Sequence, residues 1–242
     1  MGGPDPSTTK DLQVHSDRSA ERPSSDPSPP DPSALQQFSA SDSLRVVVLI
    51  SGGGSNLEAL LAASAVTSYG VQIVAVGADR HGAGGLRFAV EAGVPTFVER
   101  VADHRDRSAW DTALTERTSS FRPDLVVSAG FLKLVGAPFL ARFRGRYINT
   151  HNALLPAFPG MHGPRDALDY GVKIAGATLF VVDAGVDSGP ILAQVAVPVL
   201  SGDTEDTLTE RIKEAERAQL VEQVSRMARH GWTIHGRKVS TP

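Results

Sequence analysis

An α/β fold, with a mainly parallel sheet flanked by helices, is what this 242-residue sequence predicts. Three observations carry the expectation. Leu44–Ile50 (LRVVVLI) is an unbroken aliphatic run, the pattern of a strand buried on both faces. Residues 71–77 (VQIVAVG) and 124–129 (DLVVSA) repeat that texture. Helix-period segments lie between the runs, and strands alternating with helices imply crossover connections and parallel pairing.

The elements follow in order. A glycine loop at 51–55 ends the first strand, and Leu57, Leu60, Leu61 and Ser64 then mark one face of a helix. After the strand at 71–77, a helix around 86–92 leads to a short strand at 95–98. An amphipathic helix covers about 107–119 and precedes the buried strand at 124–129. Beyond Ile148 the texture changes. Residues 177–182 and 191–199 read as strands joined by the loop 183–190. Residues 204–229 form a long helix with apolar positions at Leu208, Ile212, Ala215, Leu220, Val224 and Met227, and Gly231 is its expected stop. A last short strand is expected at 233–239, and no internal repeat is evident.

Residues 1–43 differ from the rest. They hold seven of the 16 prolines, many Ser and Asp, and almost no large apolar side chains. Such a segment buries too little surface to offset its ordering entropy, so a disordered tail is expected before a folded domain at 44–242. The net charge of −3 supplies no basic field for nucleic acid or an anionic membrane. With no cysteine, disulfides, thiolate metal sites and Cys nucleophiles are all excluded. No apolar stretch approaches 18 residues, and no basic-then-apolar leader pattern opens the chain, so cytoplasmic residence is the expectation.

Three places could carry chemistry. The first is Ser51-Gly-Gly-Gly-Ser-Asn56, between a buried strand and a helix N-terminus. Backbone N–H groups and the helix dipole there favour an anion, and Ser55 and Asn56 add donors. The competing reading is a tight turn capped by Asn56. A dinucleotide fingerprint has Gly52 and Gly54 but Leu57 where its third glycine belongs, while Asp79 could mimic the ribose-binding acid. A nicotinamide oxidoreductase therefore stays open as a rival. A mononucleotide P-loop does not, since no Gly-Lys-Ser/Thr follows.

The second place is Tyr147-Ile-Asn-Thr-His151, followed by a stretch stiffened by Pro156, Pro159 and Gly160. Strand alternation puts the Asn149 amide and the His151 imidazole on one side, at a strand end where α/β sheets bind ligands. A pair of satisfied polar residues at a strand edge is the plainer alternative. The third is the acidic loop from Asp183 to Pro190, where Asp183 and Asp187 bracket a glycine turn. An ordinary hairpin loop reads the same way. No His spacing suits a metal.

Taken together, these stretches resemble the glycinamide ribonucleotide formyltransferase family. The matching pieces are SGGGSN at 51–56, SAGFLKLV at 128–135, INTHNALLPAFPG at 148–160, DAGVDSGPIL at 183–192 and GDTEDTLTERIKEAE at 202–216. The likeness runs in order from Leu44 to the end. It implies a formyltransferase fold with a Rossmann-like, phosphate-binding half at about 44–146 and a folate-binding, catalytic half at about 147–242. It also implies 10-formyltetrahydrofolate as co-substrate, no metal, and a monomer or homodimer acting on small molecules.

By the same resemblance, Gly54, Ser55 and Asn56 hold the substrate phosphate and Glu216 touches the ribonucleotide. Arg107, Leu132, Lys133, Leu134, Val135 and Asp183 contact the folate, and Asn149, His151 and Asp187 are catalytic. Sister families that formylate methionyl-tRNA or hydrolyse formyltetrahydrofolate share the LLP stretch, but the glycine loop favours a small phosphorylated substrate. The expected chemistry is attack of an amine on the formyl carbon. Asn149 and a protonated His151 then stabilise the oxyanion, and Asp187 orients and charges His151. Two positions depart from the family pattern. Thr178-Leu-Phe180 stands where T-V-H is usual, so Phe180 replaces the His, and Asn152 stands where Pro follows the catalytic His; Lys133, where Arg is frequent, is a milder change. These departures leave open a paralogue that formylates a different amine.

Overall fold

The computed structural model describes Met1 and residues 34–241. Most of the expected tail lies outside those residues. The described residues 34–241 belong to one compact unit. Its frame is a seven-stranded sheet of β2 (Leu44–Ile50), β3 (Val71–Ala78), β4 (Thr96–Val98), β5 (Leu125–Ser128), β6 (Tyr147–His151), β7 (Ile174–Val181) and β8 (Ile191–Pro198). The spatial order is β4-β3-β2-β5-β6-β7-β8. Pairing is parallel from β4 to β6, whereas β7 and β8 return antiparallel. The mainly parallel sheet read from the sequence is thus observed. The change of texture after Ile148 marks the switch to antiparallel pairing.

The aliphatic runs became central strands because both of their faces are covered. Even-numbered positions of β2 (Val46, Val48, Ile50) pack with Leu57 and Leu60 of α1 (Ser55–Ser64) and with Leu220, Val224 and Met227 of α6 (Glu205–His230). Val47 and Leu49 face the opposite layer. There they meet Trp110 and Leu114 of α3 (Arg107–Ser120) and Phe139 of α4 (Ala137–Arg142). A smaller cluster joins Ala175 and Ala177 to Leu208 and Ile212 of α6 and to Ala167 of α5 (Gly163–Tyr170). The helix near 86–92 is α2 (Leu86–Glu91). The long helix is capped as its residues dictate, with Thr204 accepting from Thr207 N at the start and Gly231 at the end.

Four features were not foreseen. The six-residue α4 and the eight-residue α5 both begin beside a proline, and the reading of the sequence placed no element at either. The single last strand is a hairpin, β9 (Trp232–His235) and β10 (Lys238–Ser240). The folded domain also starts before Leu44: β1 (Gln36–Phe38) pairs antiparallel with β9, making a separate three-stranded sheet. Phe38 explains the earlier start. Its ring stacks on Trp232 with centroids 4.6 Å apart and planes 14° from parallel, while the Trp232 indole N–H donates to Gly145 O at 2.9 Å.

That stack anchors the strand. Phe38→Ala is expected to cost about 1–3 kcal/mol, less than a fully buried aromatic because Phe38 is only partly covered. Urea unfolding followed through Trp fluorescence measures it, and an unchanged midpoint would show that β1 contributes nothing.

Candidate active site

The chain leaves β2 toward β3 on one side, while β5 lies on the other, so the carboxyl ends of β2 and β5 flank a switch point where open α/β sheets bind ligands. Gly52 and Gly53 cross this point with open space where a Cβ would stand. Gly54 then sets the N-cap of α1 with φ +80°, and a Cβ on it would lie 2.6 Å from Gly85 Cα. Both the left-handed backbone and the close approach require glycine. The turn delivers the unpaired N–H groups of the first helical turn to the switch point, an anion cradle in form.

Asn56 is not the helix cap. It lies inside α1, and its side-chain amide donates to Glu216 Oε1 on α6. Glu216 is only 4% exposed, and its Oε2 has no hydrogen-bond partner of ordinary geometry. Burial pushes its carboxyl above the usual range, opposed by the Asn56 amide, the nearby Thr150 hydroxyl and the charges of His151 and Arg217. A carboxylate from residue 216 and an amide from residue 56 therefore meet beside the end of β6.

On β6, Asn149 lies opposite Phe180 and His151 opposite Thr178 of β7. Alternation puts both candidate side chains on the α3/α4 side, as expected, and turns Thr150 toward Glu216. Phe180 is 2% exposed, so the flank of Asn149 is apolar. His151 is nearly buried, with its two ring nitrogens facing different groups. Nε2 is 2.8 Å from the carbonyl oxygen of Phe158, and Nδ1 is 3.6 Å from Asp187 Oδ2. The same Asp187 oxygen accepts the Gly160 N–H at 2.8 Å. Asp187 and Phe158 both hold left-handed backbone, at φ 51° and 53°.

The structure thus pairs His151 with Asp187 and Asn56 with Glu216, and carries Asn149 on the same strand as His151. A second group gathers nearer α3. Arg107, Leu132, Lys133, Leu134 and Val135, with Asp111 and Gly136, line a cavity of about 470 Å³. Asp183 does not line it. Its Oδ1 accepts from Gly185 N at 3.0 Å and from the Ser188 hydroxyl at 2.8 Å, closing its own loop. Asp79, weighed as a ribose-binding acid, is also spent: it is 6% exposed, with Arg80 Nε 3.0 Å and Lys133 Nζ 3.6 Å from its oxygens. The sequence reading missed the Phe158 carbonyl and the Gly160 N–H. Main-chain groups have no residue-type signature; only the proline and glycine between them hinted at a fixed turn. Among the described residues, no group of three or more His, Cys, Asp or Glu side chains could hold a metal ion.

A family model described as formyl transferase matches residues 44–224. The chain belongs to the formyl transferase family. It is 58% identical over 193 residues to phosphoribosylglycinamide formyltransferase of Mycobacterium tuberculosis, covering 80% of this chain and 89% of that one. To the Escherichia coli protein of the same name it is 37% identical over 175 residues, 72% of this chain and 82% of the relative. Among solved structures it resembles glycinamide ribonucleotide transformylase 1 from Symbiobacterium toebii, with a TM-score of 0.80 and 42% identity, covering 83% and 94% of the two chains. The formyl transferase has no helix, among its described residues, long and apolar enough to cross a membrane.

Glu216 makes a prediction with a definite sign. A carboxyl raised on folding binds its proton more tightly in the folded state, so stability falls as pH climbs from the unfolded value, near ~4.3, through the folded one. Glu216→Gln removes this loss. It should raise the melting temperature of the ligand-free protein at pH 8 and give no such gain near pH 4. Calorimetry at both values tests it; a gain of equal size at both would refute the burial argument.

Proposed function

We propose that this formyl transferase moves the formyl group of 10-formyltetrahydrofolate onto the primary amine of glycinamide ribonucleotide, a step of de novo purine synthesis. The observation that carries the reading is the contact of Asn56 with Glu216. It joins the anion cradle at α1 to α6, at a carboxyl that faces Thr150 on the strand bearing Asn149 and His151. A small ligand with a phosphate at one end and an amine at the other is the kind that such a pairing of sites would serve. The names of the relatives point to the same ribonucleotide.

In this reading the phosphate sits on the N–H groups of Gly54, Ser55 and Asn56, and the unpartnered Glu216 Oε2 takes a ribose hydroxyl. The folate lies along Arg107 and the loop of Leu132, Lys133, Leu134 and Val135. The amine nitrogen attacks the formyl carbon and its bond to that carbon forms. The bond to the folate N10 then breaks, and one proton passes from the amine to N10. Formylglycinamide ribonucleotide and tetrahydrofolate leave.

The negative charge of the tetrahedral intermediate falls on the former carbonyl oxygen. Asn149 is the amide donor open to it, and His151 is the second. Nε2 lies within hydrogen-bond distance of the Phe158 carbonyl and Nδ1 at ion-pair distance from Asp187, a setting that suits a ring carrying both protons. Asp187 keeps the Nδ1 proton in place, and exchange of the Phe158 contact for the oxyanion frees the Nε2 donor. Residues of this chain thus supply positioning, charge stabilisation and proton transfer. Buried Phe180 beside Asn149 adds no polar group and keeps water from that flank, which strengthens the amide's interaction with charge.

Mixing 10-formyltetrahydrofolate with glycinamide ribonucleotide and following folate product by absorbance tests the reaction. Folate binding without turnover would assign the chemistry to another amine. Asp187→Asn should lower kcat by about 10²–10⁴-fold while leaving the ribonucleotide Kd within about threefold. Equal losses in kcat and in affinity measured by calorimetry would remove Asp187 from the proton path. Asn149→Ala should lower kcat by about 10²–10³-fold with KM for both substrates little changed, as loss of a donor made only to the oxyanion requires.

A further inference from the structure

We infer that Asp111 and Ser51 are positioning residues that hold the loop of Leu132, Lys133, Leu134 and Val135 from its two ends, so that folate affinity depends on two side chains outside the loop itself. The inference rests on the assignment of this loop to folate. Neither residue belongs to the loop, and each serves one end of it.

At the leading end, Ser51 is 2% exposed, and its Oγ accepts the Leu132 N–H at 2.8 Å. The hydroxyl in turn donates to Asp79. Burial pushes the Asp79 carboxyl up, but the Arg80 and Ser51 hydrogen bonds and the charges of Arg80 and Lys133 prevail and hold it below the usual range. A firmly charged Asp79 thereby grips the loop twice, through Ser51 to Leu132 and directly to Lys133 Nζ at 3.6 Å. At the trailing end, Asp111 is 7% exposed on α3, and its Oδ1 accepts the Gly136 N–H at 2.8 Å. The fit is close: a Cβ on Gly136 would lie 2.2 Å from Asp111 Oδ2. That second oxygen stands 3.8 Å from Arg107 Nε, and the Arg107 guanidinium donates to Leu134 O while lying 4.3 Å above the Trp110 ring.

Four residues of loop are therefore fixed at both ends by buried acceptors, with Leu132 and Leu134 left 61% and 67% exposed over the cavity. A flat apolar ligand gains most from such a surface when it is already ordered, because binding then costs no loop entropy. Removing one anchor reintroduces that cost. The effect falls on the folate and not on the ribonucleotide, whose proposed contacts lie at α1 and α6.

Steady-state kinetics of the full-length enzyme with both substrates tests the inference. Asp111→Ala is expected to raise KM for 10-formyltetrahydrofolate about tenfold or more, with kcat and the ribonucleotide KM within about twofold. Asp111→Asn keeps an acceptor for the Gly136 N–H and should recover most of the loss. Ser51→Ala removes the other anchor and should raise the same KM, which keeps the test alive if the Asp111→Ala protein fails to fold. Leu134→Asp, at the exposed crest, serves as the control for the folate assignment. If it raises the folate KM while the anchor variants do not, the anchoring role is overturned and the folate loop stands. If it leaves the folate KM unchanged, both fall. Equal loss for both substrates in Asp111→Ala and Asp111→Asn would reduce Asp111 to a structural residue.

Discussion

Burying the Glu216 carboxyl between two helices that start and end far apart in the chain constrains everything near the site. A carboxylate withdrawn from water is costly unless its oxygens find donors, and here Oε1 takes the Asn56 amide while Oε2 has no hydrogen bond of ordinary geometry. The arrangement persists because the helix bearing it is held independently. Leu208, Ile212, Leu220, Val224 and Met227 of α6 are all fully buried against the sheet or its flanking layer. The apolar face of α6 fixes Glu216; Glu216 fixes the Asn56 side chain; and α1, entered through Gly54, fixes the cradle at the switch point. Function at this end of the sheet is thus supported by hydrophobic packing that touches no substrate.

The opposite layer solves a different problem. Its aromatic cluster of Trp110, Phe131, Phe139, Phe143 and Tyr147 holds α3 and α4 against the sheet. Buried acceptors on that layer and at the end of β2 then reach out to a short exposed loop. Both halves of the site share one principle. A rigid element carries a buried carboxylate, and the carboxylate positions a group nearer the ligand. Asp79 and Asp111 do so through hydrogen bonds to their targets, whereas Glu216 keeps one oxygen unspent, which suits a direct contact with a hydroxyl.

The sequence made the frame of this fold readable because central parallel strands announce themselves as unbroken aliphatic runs, and all three such runs proved to be adjacent strands. What it concealed depends on distance. Gln36-Gln37-Phe38 looks like tail, since a single aromatic has no period; it became a strand only because Trp232, far away in the chain, offers a ring to stack on. The site was legible in its side chains, through the strand spacing of Asn149 and His151 and an ordered set of motifs. Its hydrogen-bond wiring was not. Asp79 looked like a cofactor acid, yet its neighbours Arg80 and Lys133 neutralise it. Asn56 looked like a cap, yet the turn begins two residues earlier at a left-handed glycine.

The His151 pocket shows where the fold concentrates strain. Phe158 and Asp187 are two of the three non-glycine residues with positive φ among those described, and they are the two that face the imidazole nitrogens. Each such conformation costs on the order of 1–3 kcal/mol and persists only where the surroundings enforce it. Phe158 is held by its ring, which meets Tyr170 edge-on at 5.9 Å. Asp187 is held by the Gly160 N–H. The turn of Phe158, Pro159 and Gly160 therefore grips both members of the His–Asp pair through its backbone, one through a carbonyl and one through an N–H. A side chain at position 158 or 187 can vary only within what that backbone permits, and an imidazole set between two acceptors needs no other group to define which way it points.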